Sequence, residues 1–338
     1  MKILVTGSTG FIGRQLCDYL SKSHSVIGLD IIHHGHISLD FFHKCDITDY
    51  THFSILVAKH APDVLIHLAS LIDFATIDQD MLYTSNVKMA QNVARVVSEQ
   101  NIPHVIFSSS NSVFLGQSSH IILQDTPPYP TDLYGLSKLT SELYLTGLAA
   151  THIVQIIRFP MILDDTRLGM LSVLFQLIQQ NATLWMPDSK PIRHQALSLP
   201  DALSLITCLL SHHHSLTLNV SCGYSETFHN IFAQVIDAGS SKSKLRSLPW
   251  GIGTYILRLL YKFRVSPIGP YQIRMLTSHY EVDISSLKHL INWEPKDTTS
   301  ALFRRAYMHY AQFQSTNLSA NLSSVNLGIL RLLQYIRF

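Results

Sequence analysis

The sequence predicts an α/β fold in which a doubly wound parallel sheet is followed by a smaller, mostly helical C-terminal part. Through the first half of the chain, short apolar runs alternate with longer segments whose apolar residues recur at helical spacing. This alternation is typical of right-handed β–α–β units, whose strands join into one parallel sheet. Beyond about residue 165 this alternation ends and helical patterns dominate. A length of 338 residues with 46% hydrophobic content is enough for about two domains with a sizeable core.

The strands of the first half are predicted from compact apolar runs that end in glycine or polar residues. They cover residues 2–7, 24–30, 63–70, 104–110 and 153–159. Helices are predicted where apolar residues recur about every three to four positions, at residues 11–23 and 80–101 and from about Tyr134 onward. Each of these helices lies between two strands, as β–α–β connections require.

The second half is predicted to hold helices at residues 169–181, 200–213 and 228–237. The run SLTLNVSC at 215–222 predicts a strand, and we expect its residues 216–221 to rejoin the sheet. Residues 240–280 are rich in serine, proline and basic side chains around an apolar stretch. Because no repeat and no linker separates the two parts, we expect them to pack closely together.

The composition argues against several classes of function. Charged residues make up only 14% of the chain and the net charge is +2, so the basic surface that nucleic-acid binding requires is missing. The first apolar run is too short for a signal peptide, and no uncharged apolar run reaches the ~20 residues of a membrane-spanning helix. The sequence therefore predicts no nucleic-acid partner and no spanning membrane segment.

Cysteine and histidine usage predicts a reduced protein without a metal site. The four cysteines, Cys17, Cys45, Cys208 and Cys222, are far apart and show no CxxC spacing. This pattern favours free thiols in the cytosol over a disulfide framework, so we expect a soluble, cytoplasmic protein. The run His212–His214 follows a helical pattern without a second cluster of ligands, and we interpret it as a solvated turn.

The stretch TGSTGFIG joins the first strand to the first helix, and its glycines suit a phosphate-binding turn. Gly7 allows the tight turn, Gly10 allows close approach of the backbone to a pyrophosphate, and Gly13 lets the helix pack on the strand. The N-terminus of the helix then faces the phosphates, where its dipole favours negative charge. Because the pattern comes directly after a strand and before a helix, it predicts a dinucleotide-binding domain of the Rossmann type.

Asp30 closes the second predicted strand, where dinucleotide-binding folds place an acidic residue for the adenosine ribose. A carboxylate there accepts hydrogen bonds from both ribose hydroxyls and repels a 2′-phosphate. Residues 31–35 contain no arginine that would accommodate such a phosphate. The pattern therefore predicts NAD rather than NADP as the cofactor.

The stretch YGLSK spaces Tyr134 and Lys138 four residues apart on a predicted helix, which places both side chains on one face. A phenol with a pKa of about 10 is a poor base at neutral pH, and a neighbouring ammonium group stabilises its phenolate. Tyr134 is then able to exchange a proton with a substrate hydroxyl while a nicotinamide exchanges a hydride. Ser108, Ser109 and Ser110 close the fourth strand at the carboxyl edge of the sheet, where ligands bind. We expect one of these hydroxyls to hold the reacting oxygen.

Several stretches together resemble the extended short-chain dehydrogenases/reductases, the NAD-dependent epimerase/dehydratase family. TGSTGFIG matches the family's TGxxGxxG, YGLSK its YxxxK pair, and SSSNSVF its SSxxVY segment. CDITD resembles its adenine-contacting acidic motif, HLAS its cofactor-lining HLAA strand end, and SNVKMAQN a segment with a family asparagine. DISSLKHLINWEPK resembles the family's DxSKAxxxLGWxP segment, so the resemblance covers the chain to about residue 310.

The resemblance implies a catalytic set and a cofactor site. Ser110, Tyr134 and Lys138 match the catalytic serine, tyrosine and lysine, and Lys138 also reaches the nicotinamide ribose. The residues implied to line the NAD site are Gly7, Thr9, Gly10, Phe11, Ile12, Gly13, Asp30, Asp46, Ile47, Leu68, Ala69, Ser70, Asn86, Ser108, Tyr134, Lys138, Phe159 and Pro160. The implied domains are the NAD-binding part at 1–165, the smaller substrate-binding part at 166–310, and a C-terminal tail with an apolar helix at 311–338.

The substrate side departs from the family pattern. Many members that act on nucleotide sugars have an asparagine where this chain has Met161, and a thioether cannot donate that hydrogen bond. His194 takes the position of a family arginine, with Arg193 next to it, and Arg274 precedes the DISS segment as a family arginine does. The substrate-binding residues implied by the resemblance are Ser110, Ser112, Met161, Arg193, His194 and Arg274.

Two stretches, residues 251–265 and 327–338, mix apolar and basic side chains. Each is suited to lie on a membrane surface or to cover an apolar substrate. Packing against the protein's own core or against a second subunit is the simpler interpretation.

Three functions are compatible with the sequence. The first is a nucleotide-sugar epimerase, dehydratase or reductase with hydride and proton transfer at a sugar carbinol, which Arg193 and Arg274 favour. The second is an NAD-dependent dehydrogenase or reductase of an apolar alcohol or ketone, of the hydroxysteroid dehydrogenase type, which Met161 favours. The third is a non-catalytic NAD-binding regulator, although such proteins tend to lose the tyrosine or the lysine. We predict the first, with a homodimer as the expected assembly.

Overall fold

The computed structural model describes residues 1–32, 39, 41–72, 78–165, 168, 171–187, 193–248, 253, 255, 259 and 280–316. Within these residues, seven strands form one parallel sheet, and helices connect successive strands. This architecture confirms the predicted α/β fold with a doubly wound parallel sheet.

The central sheet contains the apolar runs that predict its strands. In chain order it is formed by β1 (Lys2–Thr6), β2 (Ser25–Asp30), β3 (Phe41–Lys44), β4 (Val64–His67), β5 (His104–Ser110), β7 (Ile153–Phe159) and β12 (Leu216–Asn219). Across the sheet the order is β12-β7-β5-β4-β1-β2-β3, and all neighbours are parallel. The chain order reverses between β1 and β4, and ligands of such sheets bind outside the carboxyl ends of the strands at that point.

Helices cover the sheet and build the rest of the chain. They are α1 (Phe11–Leu20), α2 (Tyr50–His60), α3 (Gln79–Glu99), α4 (Leu133–Thr146), α5 (Leu171–Gln179), α6 (Leu199–Leu209), α7 (Phe228–Ala238), α8 (Leu287–Ile291) and α9 (Thr299–Thr316), with a 3₁₀ helix at Asn111–Phe114. Short strands outside the central sheet are β6 (Ile121–Ile122), β8 (Met161–Leu163), β9 (Leu184–Pro187), β10 (Arg193–His194), β11 (Ala196–Ser198), β13 (Glu226–Thr227), β14 (Leu245–Leu248) and β15 (Glu281–Val282). No helix among the described residues is long and apolar enough to cross a membrane.

The sheet buries apolar side chains on both of its faces, which explains why β1 reads as a continuous apolar run. Successive side chains of a strand point to opposite faces. Ile3 and Val5 accordingly join a core with α1 and α6, whereas Leu4 joins a second core with α2 and α3. Packing in both cores holds the carboxyl ends of β1, β4 and β5 at one edge of the sheet. The residues of the site lie at this edge.

The strand β3 and the helix α2 are not predicted from the sequence. β3 is a four-residue edge strand whose side chains are exposed or half-buried, so it lacks the apolar run of a buried strand. α2 buries Phe53, Leu56, Val57 and His60, but the apolar Ile55 is exposed on another side of the helix and blurs the pattern. Capping would have been the better signal, because the Asp49 side chain accepts a hydrogen bond from the backbone nitrogen of His52 at 3.2 Å.

The chain divides into two compact units, each built from separate segments. The first contains the central sheet and comprises Met1–Ile162, Gln195–Ser225 and Tyr280–Thr298. The second comprises Leu163–His194, Glu226–His279 and Thr299–Phe338. β12 and α8 thus belong to the first unit although they lie beyond residue 165, while the functional division of the chain at that residue stays a prediction.

The second unit has an aromatic core between its helices. Phe175 of α5 meets Tyr307 of α9 edge to face with ring centroids 5.3 Å apart, and Phe232 of α7 meets Phe303 at 5.7 Å. The predicted tail helix beyond Thr316 and most of the stretch 251–265 lie outside the described residues.

Candidate active site

The turn between β1 and α1 is so tightly packed that two of its glycines have no room for a side chain. Gly7 has a φ of +73°, and a Cβ there would lie 2.6 Å from the backbone nitrogen of Ala69. A Cβ on Gly13 would lie 2.0 Å from the carbonyl oxygen of Gly7. Gly10 is the N-cap of α1, and no side chain caps this helix. The turn therefore presents backbone and a helix N-terminus at the switch point of the sheet, which fits the pyrophosphate of NAD.

Asp30, at the end of β2, holds the glycine turn through its carboxylate. One oxygen accepts a hydrogen bond from the backbone nitrogen of Thr9 at 2.9 Å, and the other accepts one from that of Ile32 at 3.3 Å. Thr9, Phe11 and Ile12 are half-buried in the turn, as is Asp30 itself. A fixed, half-exposed carboxylate at this position suits the hydroxyls of the adenosine ribose.

The CDITD segment after β3 is anchored from helix α3. Asp46 is exposed, and its carboxylate accepts hydrogen bonds from the backbone nitrogen and the hydroxyl of Thr48 at 2.9 and 2.8 Å. Ile47 is buried, and its carbonyl oxygen accepts a hydrogen bond from Asn92 Nδ2 at 2.8 Å. Asn92 is not predicted as a site residue, although a buried amide in the apolar helical stretch SNVKMAQN is the signal that would have identified it.

A buried histidine closes β4, and no role is predicted for it from the sequence. The Nδ1 atom of His67 lies 2.8 Å from Thr6 Oγ1, and its ring stacks on Phe107 with centroids 5.4 Å apart. Burial, and after it the charge of Lys138, lowers the pKa of His67 to about 3, so the ring is neutral at pH 7. The half-buried residues Leu68–Ser70 follow outside the strand, at the point where Ala69 approaches the glycine turn.

Asn86 of α3 clamps the segment after β4 to helix α4. Its Oδ1 accepts hydrogen bonds from the Leu71 backbone nitrogen at 2.8 Å and from Ser70 Oγ at 3.3 Å. Its Nδ2 donates to the Leu71 carbonyl oxygen at 3.0 Å and to Ser137 Oγ at 3.2 Å. Both ends of the buried amide are thus used within the protein, and the predicted contact of Asn86 with NAD stays a prediction.

The structure brings the three predicted catalytic residues together at the carboxyl end of β5. Tyr134 and Lys138 are both buried on α4, and Lys138 Nζ donates a hydrogen bond to the carbonyl oxygen of Ser108 at 2.9 Å. The same Nζ lies 5.8 Å from the centroid of the Tyr134 ring. Interactions with the side chains of Ser110 and Ser70 lower the pKa of the Tyr134 hydroxyl. A tyrosine, a lysine and two serines therefore share one buried corner of the sheet edge.

Burial disfavours the charged forms of both helix residues. It raises the pKa of Tyr134 to about 12, while the hydrogen bond from Ser110 lowers this pKa, the charge of Asp132 raises it and the hydrogen bond from Ser70 lowers it. Burial lowers the pKa of Lys138 to about 7, against the charge of Glu142, which raises it. A phenolate and an ammonium group in this corner would each stabilise the charged form of the other.

Behind the catalytic set lies a buried ion pair that is not predicted from the sequence. Arg158 of β7 binds Glu142 of α4 through its Nε and Nη2 atoms at 2.6–3.2 Å, and the two side chains are only 9% and 5% exposed. The hydroxyl of Ser109 donates to the same carboxylate, and Arg158 Nη1 donates to Asn219 Oδ1 at 3.2 Å. Glu142 lies four residues after Lys138 and therefore on the same face of α4. The network fixes α4 against β5 and β7.

The remaining predicted residues of the first unit lie at the ends of β5 and β7. Phe159 is buried, and Pro160 and Met161 are half-buried where the chain leaves β7. Ser110 Oγ accepts a hydrogen bond from the backbone nitrogen of Ser112 at 3.1 Å. The Ser112 hydroxyl is buried and has no hydrogen-bond partner among the described residues, so it has capacity to bind a ligand.

The predicted residues of the second unit form part of a two-stranded sheet. Arg193 and His194 lie in β10, which pairs with β13 so that His194 is opposite Glu226. Arg193 is exposed, and the His194 ring stacks on Phe228 with centroids 3.6 Å apart. Arg274 lies outside the described residues. The structure thus places the predicted cofactor and catalytic residues in one unit and these two substrate residues in the other.

A family model described as the NAD dependent epimerase/dehydratase family matches residues 3–161, which hold the glycine turn, Asp30 and the Ser110–Tyr134–Lys138 set. The uncharacterized protein y4nG of Sinorhizobium fredii is 23% identical over 312 residues, which cover 91% of this chain and 78% of that protein. The UDP-glucose 4-epimerase of Mycolicibacterium smegmatis is 32% identical over 160 residues, covering 43% of this chain. This match covers 50% of that epimerase, so the chain spans about half of its length.

Solved structures share the fold over nearly the whole chain. The UDP-glucose 4-epimerase of Thermotoga maritima with UDP-glucose has a TM-score of 0.74 at 17% identity, covering 93% of this chain and 99% of that one. The Bordetella bronchiseptica enzyme WbmG in complex with NAD has a TM-score of 0.75 at 17% identity, covering 96% and 98%. At these identities the likeness establishes the fold.

Proposed function

We propose that the chain is a nucleotide-sugar epimerase, dehydratase or reductase. Its residues 3–161 match the model of the NAD dependent epimerase/dehydratase family. This match supports an NAD-dependent enzyme of the epimerase and oxidoreductase type, with NAD as its cofactor. The finer assignment, to a sugar carbinol and to the Ser–Tyr–Lys set, is the proposal.

One observation carries this proposal. Ser110 ends β5, and Tyr134 and Lys138 are buried on α4, from which Lys138 Nζ donates a hydrogen bond to the Ser108 carbonyl oxygen of β5 at 2.9 Å. The glycine turn and Asp30 lie at the carboxyl ends of β1 and β2 in the same sheet. A proton-transfer group and a dinucleotide turn at one sheet edge are the two parts that a hydride-transferring enzyme needs.

Each residue of the site has its own role in the proposed hydride and proton transfer. NAD, when bound, accepts and returns a hydride at a carbon of the substrate. The phenolate oxygen of Tyr134 takes the proton from the hydroxyl of that carbon and gives it back on reduction. Ser110 donates a hydrogen bond to the reacting oxygen, and the Lys138 ammonium group stabilises the phenolate. The glycine turn would hold the pyrophosphate of NAD, Asp30 would bind the adenosine ribose, and Lys138 would bind the nicotinamide ribose.

The nucleotide-sugar assignment is supported by the relatives and by the charge of the second unit. Relatives at 31–32% identity are named as UDP-glucose 4-epimerases. Arg193 is exposed and suits a diphosphate, because guanidinium groups bind phosphate oxygens in pairs. Arg274 is proposed for the same role, and Ser112 and His194 for contacts with the sugar.

Met161 favours a second candidate, an NAD-dependent dehydrogenase or reductase of an apolar alcohol or ketone, of the hydroxysteroid dehydrogenase type. Its thioether stands half-buried at the start of β8, where an asparagine would bind a sugar nucleotide. One relative, 28% identical over 175 residues, is named as the D-erythronate dehydrogenase of Haemophilus influenzae, so a dehydrogenase is among the similar chains. A non-catalytic regulator is disfavoured because Tyr134 and Lys138 are both present.

We further propose a homodimer in the cytoplasm. Helices α3 and α4 pack against each other and expose large apolar side chains, of which Met81 and Leu143 are 59% and 68% exposed. Exposed apolar side chains on neighbouring helices suit a contact with a second copy. Light scattering of the NAD-loaded protein tests this, with about twice the mass of the chain expected and the mass of a single chain contradicting it.

The proposed function is tested by ligand-induced stabilisation followed by product analysis. The NAD-loaded protein is heated with UDP-glucose, with UDP alone, or with a sterol alcohol, since a ligand that binds the folded state raises Tm. We expect UDP and UDP-glucose to raise Tm and the sterol to leave it unchanged. Stabilisation by the sterol alone would contradict the first candidate and favour the second. A nucleotide sugar that raises Tm is then incubated with the enzyme, and NMR of the product distinguishes epimerase, dehydratase and reductase.

A further inference from the structure

We propose that one face of the second unit binds the surface of a membrane that contains anionic lipids. This face, called the β9–β14 face, lies on the outer side of strands β9 and β14 and is formed by Trp185, Lys242, Lys244 and Arg246. None of these residues is among the predicted cofactor, catalytic or substrate residues, so the inference goes beyond the proposed function.

The two strands display an aromatic and a basic side chain next to each other. Trp185 of β9 is paired with Arg246 of β14, whose guanidinium carbon lies 5.8 Å from the centroid of the Trp185 ring. Trp185 is 49% exposed, whereas Leu184, which precedes it in β9, is buried. Because successive side chains of a strand point to opposite sides, Trp185 lies on the outer side of this small sheet and Leu184 on the inner side.

Two lysines extend the basic part of this face along the chain. Lys242, Lys244 and Arg246 are all exposed, whereas Ser243 is buried and Leu245 is half-buried. Exposure therefore alternates from residue 242 to residue 246, as in a strand with one side in solvent. All three cations are on the solvent side, which is also the side of Trp185.

The backbone that carries the lysines is tied to the segment around the start of β9. The Lys242 nitrogen donates a hydrogen bond to Asn181 Oδ1 at 2.6 Å. The Leu184 nitrogen donates one to the Lys244 carbonyl oxygen at 2.8 Å. The two lysines thus belong to the same folded surface as the tryptophan, and neither residues 181–187 nor residues 239–248 include an acidic side chain.

The net charge of +2 is the sum of two oppositely charged parts of the chain. Residues 238–280 and 298–338 together contain eleven of the 25 lysines and arginines and none of the 23 acidic residues. The rest of the chain has 14 basic residues against 23 acidic ones. A basic region of this kind is complementary to anionic lipids, and each lysine or arginine near such a surface strengthens binding by about fivefold.

Apolar side chains favour a membrane over other polyanions. Tryptophan is enriched where membranes meet water, because its ring has an apolar body and a polar N–H group. The chain continues after β14 into the apolar and basic stretch 251–265 and ends in a second one at 327–338. Most of the first stretch and all of the second lie outside the described residues. Nucleic acids offer phosphates to the cations but no apolar layer to such side chains.

The test is co-sedimentation of the full-length, NAD-loaded protein with lipid vesicles. Vesicles of phosphatidylcholine mixed with phosphatidylglycerol are compared with vesicles of phosphatidylcholine alone. We expect binding to the anionic vesicles only, and weaker binding at high salt because salt screens the surface charge. The triple variant Lys242→Gln, Lys244→Gln, Arg246→Gln is expected to bind at least about tenfold more weakly. Fluorescence locates the contact, since anionic vesicles should shift the tryptophan emission to the blue, and Trp185→Phe should remove this shift.

A matched control removes the same number of charges elsewhere. Lys22, Lys44 and Lys59 are exposed in the first unit, and their joint replacement by glutamine should leave vesicle binding unchanged. Unchanged Tm and NAD affinity show that each variant is folded. Equal losses in the two triple variants, equal binding to neutral vesicles, or no binding to anionic vesicles would each overturn the proposal. Binding of a DNA oligonucleotide without binding of vesicles would also overturn it and assign the face to nucleic acid.

Discussion

Replacing Glu142 with alanine is expected to lower the free energy of unfolding by about 3–5 kcal/mol, because a buried charge loses its partner. The carboxylate accepts hydrogen bonds from Arg158 at 2.6, 3.0 and 3.2 Å and a further one from Ser109. After the substitution, Asn219 Oδ1 at 3.2 Å is the one side-chain acceptor that the guanidinium keeps among the described residues. Summing the lost hydrogen bonds at about 1.5–3 kcal/mol each would overestimate the cost, since water enters the space of the deleted side chain.

Urea unfolding at pH 7, followed by circular dichroism, measures this cost. The matched control is Glu294→Ala, which breaks the Lys288–Glu294 pair at 2.9 Å, whose side chains are 59% and 58% exposed. That control should cost about 0–1 kcal/mol. The double variant Glu142→Ala with Arg158→Met should be more stable than Glu142→Ala alone, because it removes the orphaned charge. A Glu142→Ala cost no larger than that of the control would refute the role of the buried pair in holding α4.

Three further predictions concern Asp30, Lys138 and the buried His67. The protein should bind NAD at least about tenfold more tightly than NADP, which is a difference of about 1.4 kcal/mol or more. A fluorescence titration should show that Asp30→Ala reduces this preference. Equal affinities in the unchanged protein would contradict the assignment of NAD as the cofactor. Lys138→Met should weaken NAD binding as well as turnover, because the ammonium group serves the ribose and the phenolate, and unchanged NAD affinity by calorimetry would exclude the first role. Burial lowers the pKa of His67 from 6.5 to about 3, so the unfolded chain takes up this proton first as the pH falls, and stability is lost from about pH 6.5 down towards 3. In the His67→Gln variant, the urea concentration at the unfolding midpoint should therefore depend less on pH within this window. The same pH dependence in the variant and in the unchanged protein would count against a neutral buried ring.

The parts of the site that depend on spacing within one segment are predictable from the sequence. Gly7, Gly10 and Gly13 follow a strand and precede a helix, so chain order alone places them at a strand-to-helix turn. Tyr134 and Lys138 are one helical turn apart, so they share a face wherever the helix lies. The strands of the buried sheet are predictable for the same reason, because each is a continuous apolar run.

The parts that depend on which segments meet are not predictable in this way. Glu142 and Arg158 each read as an ordinary charged residue until β7 and α4 are packed together. The hydrogen bond from Asn86 Nδ2 to Ser137 Oγ at 3.2 Å joins α3 to α4, and no local pattern encodes that contact. The edge strand β3 lacks an apolar run because the sheet ends there, so its place is set by its neighbour β2.

The acid/base role of Tyr134 is the central claim, and the Tyr134→Phe variant tests it most directly. The substitution keeps the buried ring and deletes the hydroxyl, so the fold and NAD affinity should be retained, as Tm and titration with NAD will show. Turnover of the nucleotide sugar that stabilises the protein should fall by about 10²–10⁴, the usual size of a general acid/base contribution. Turnover close to that of the unchanged protein would contradict the account, because the proton would then be moved by another group.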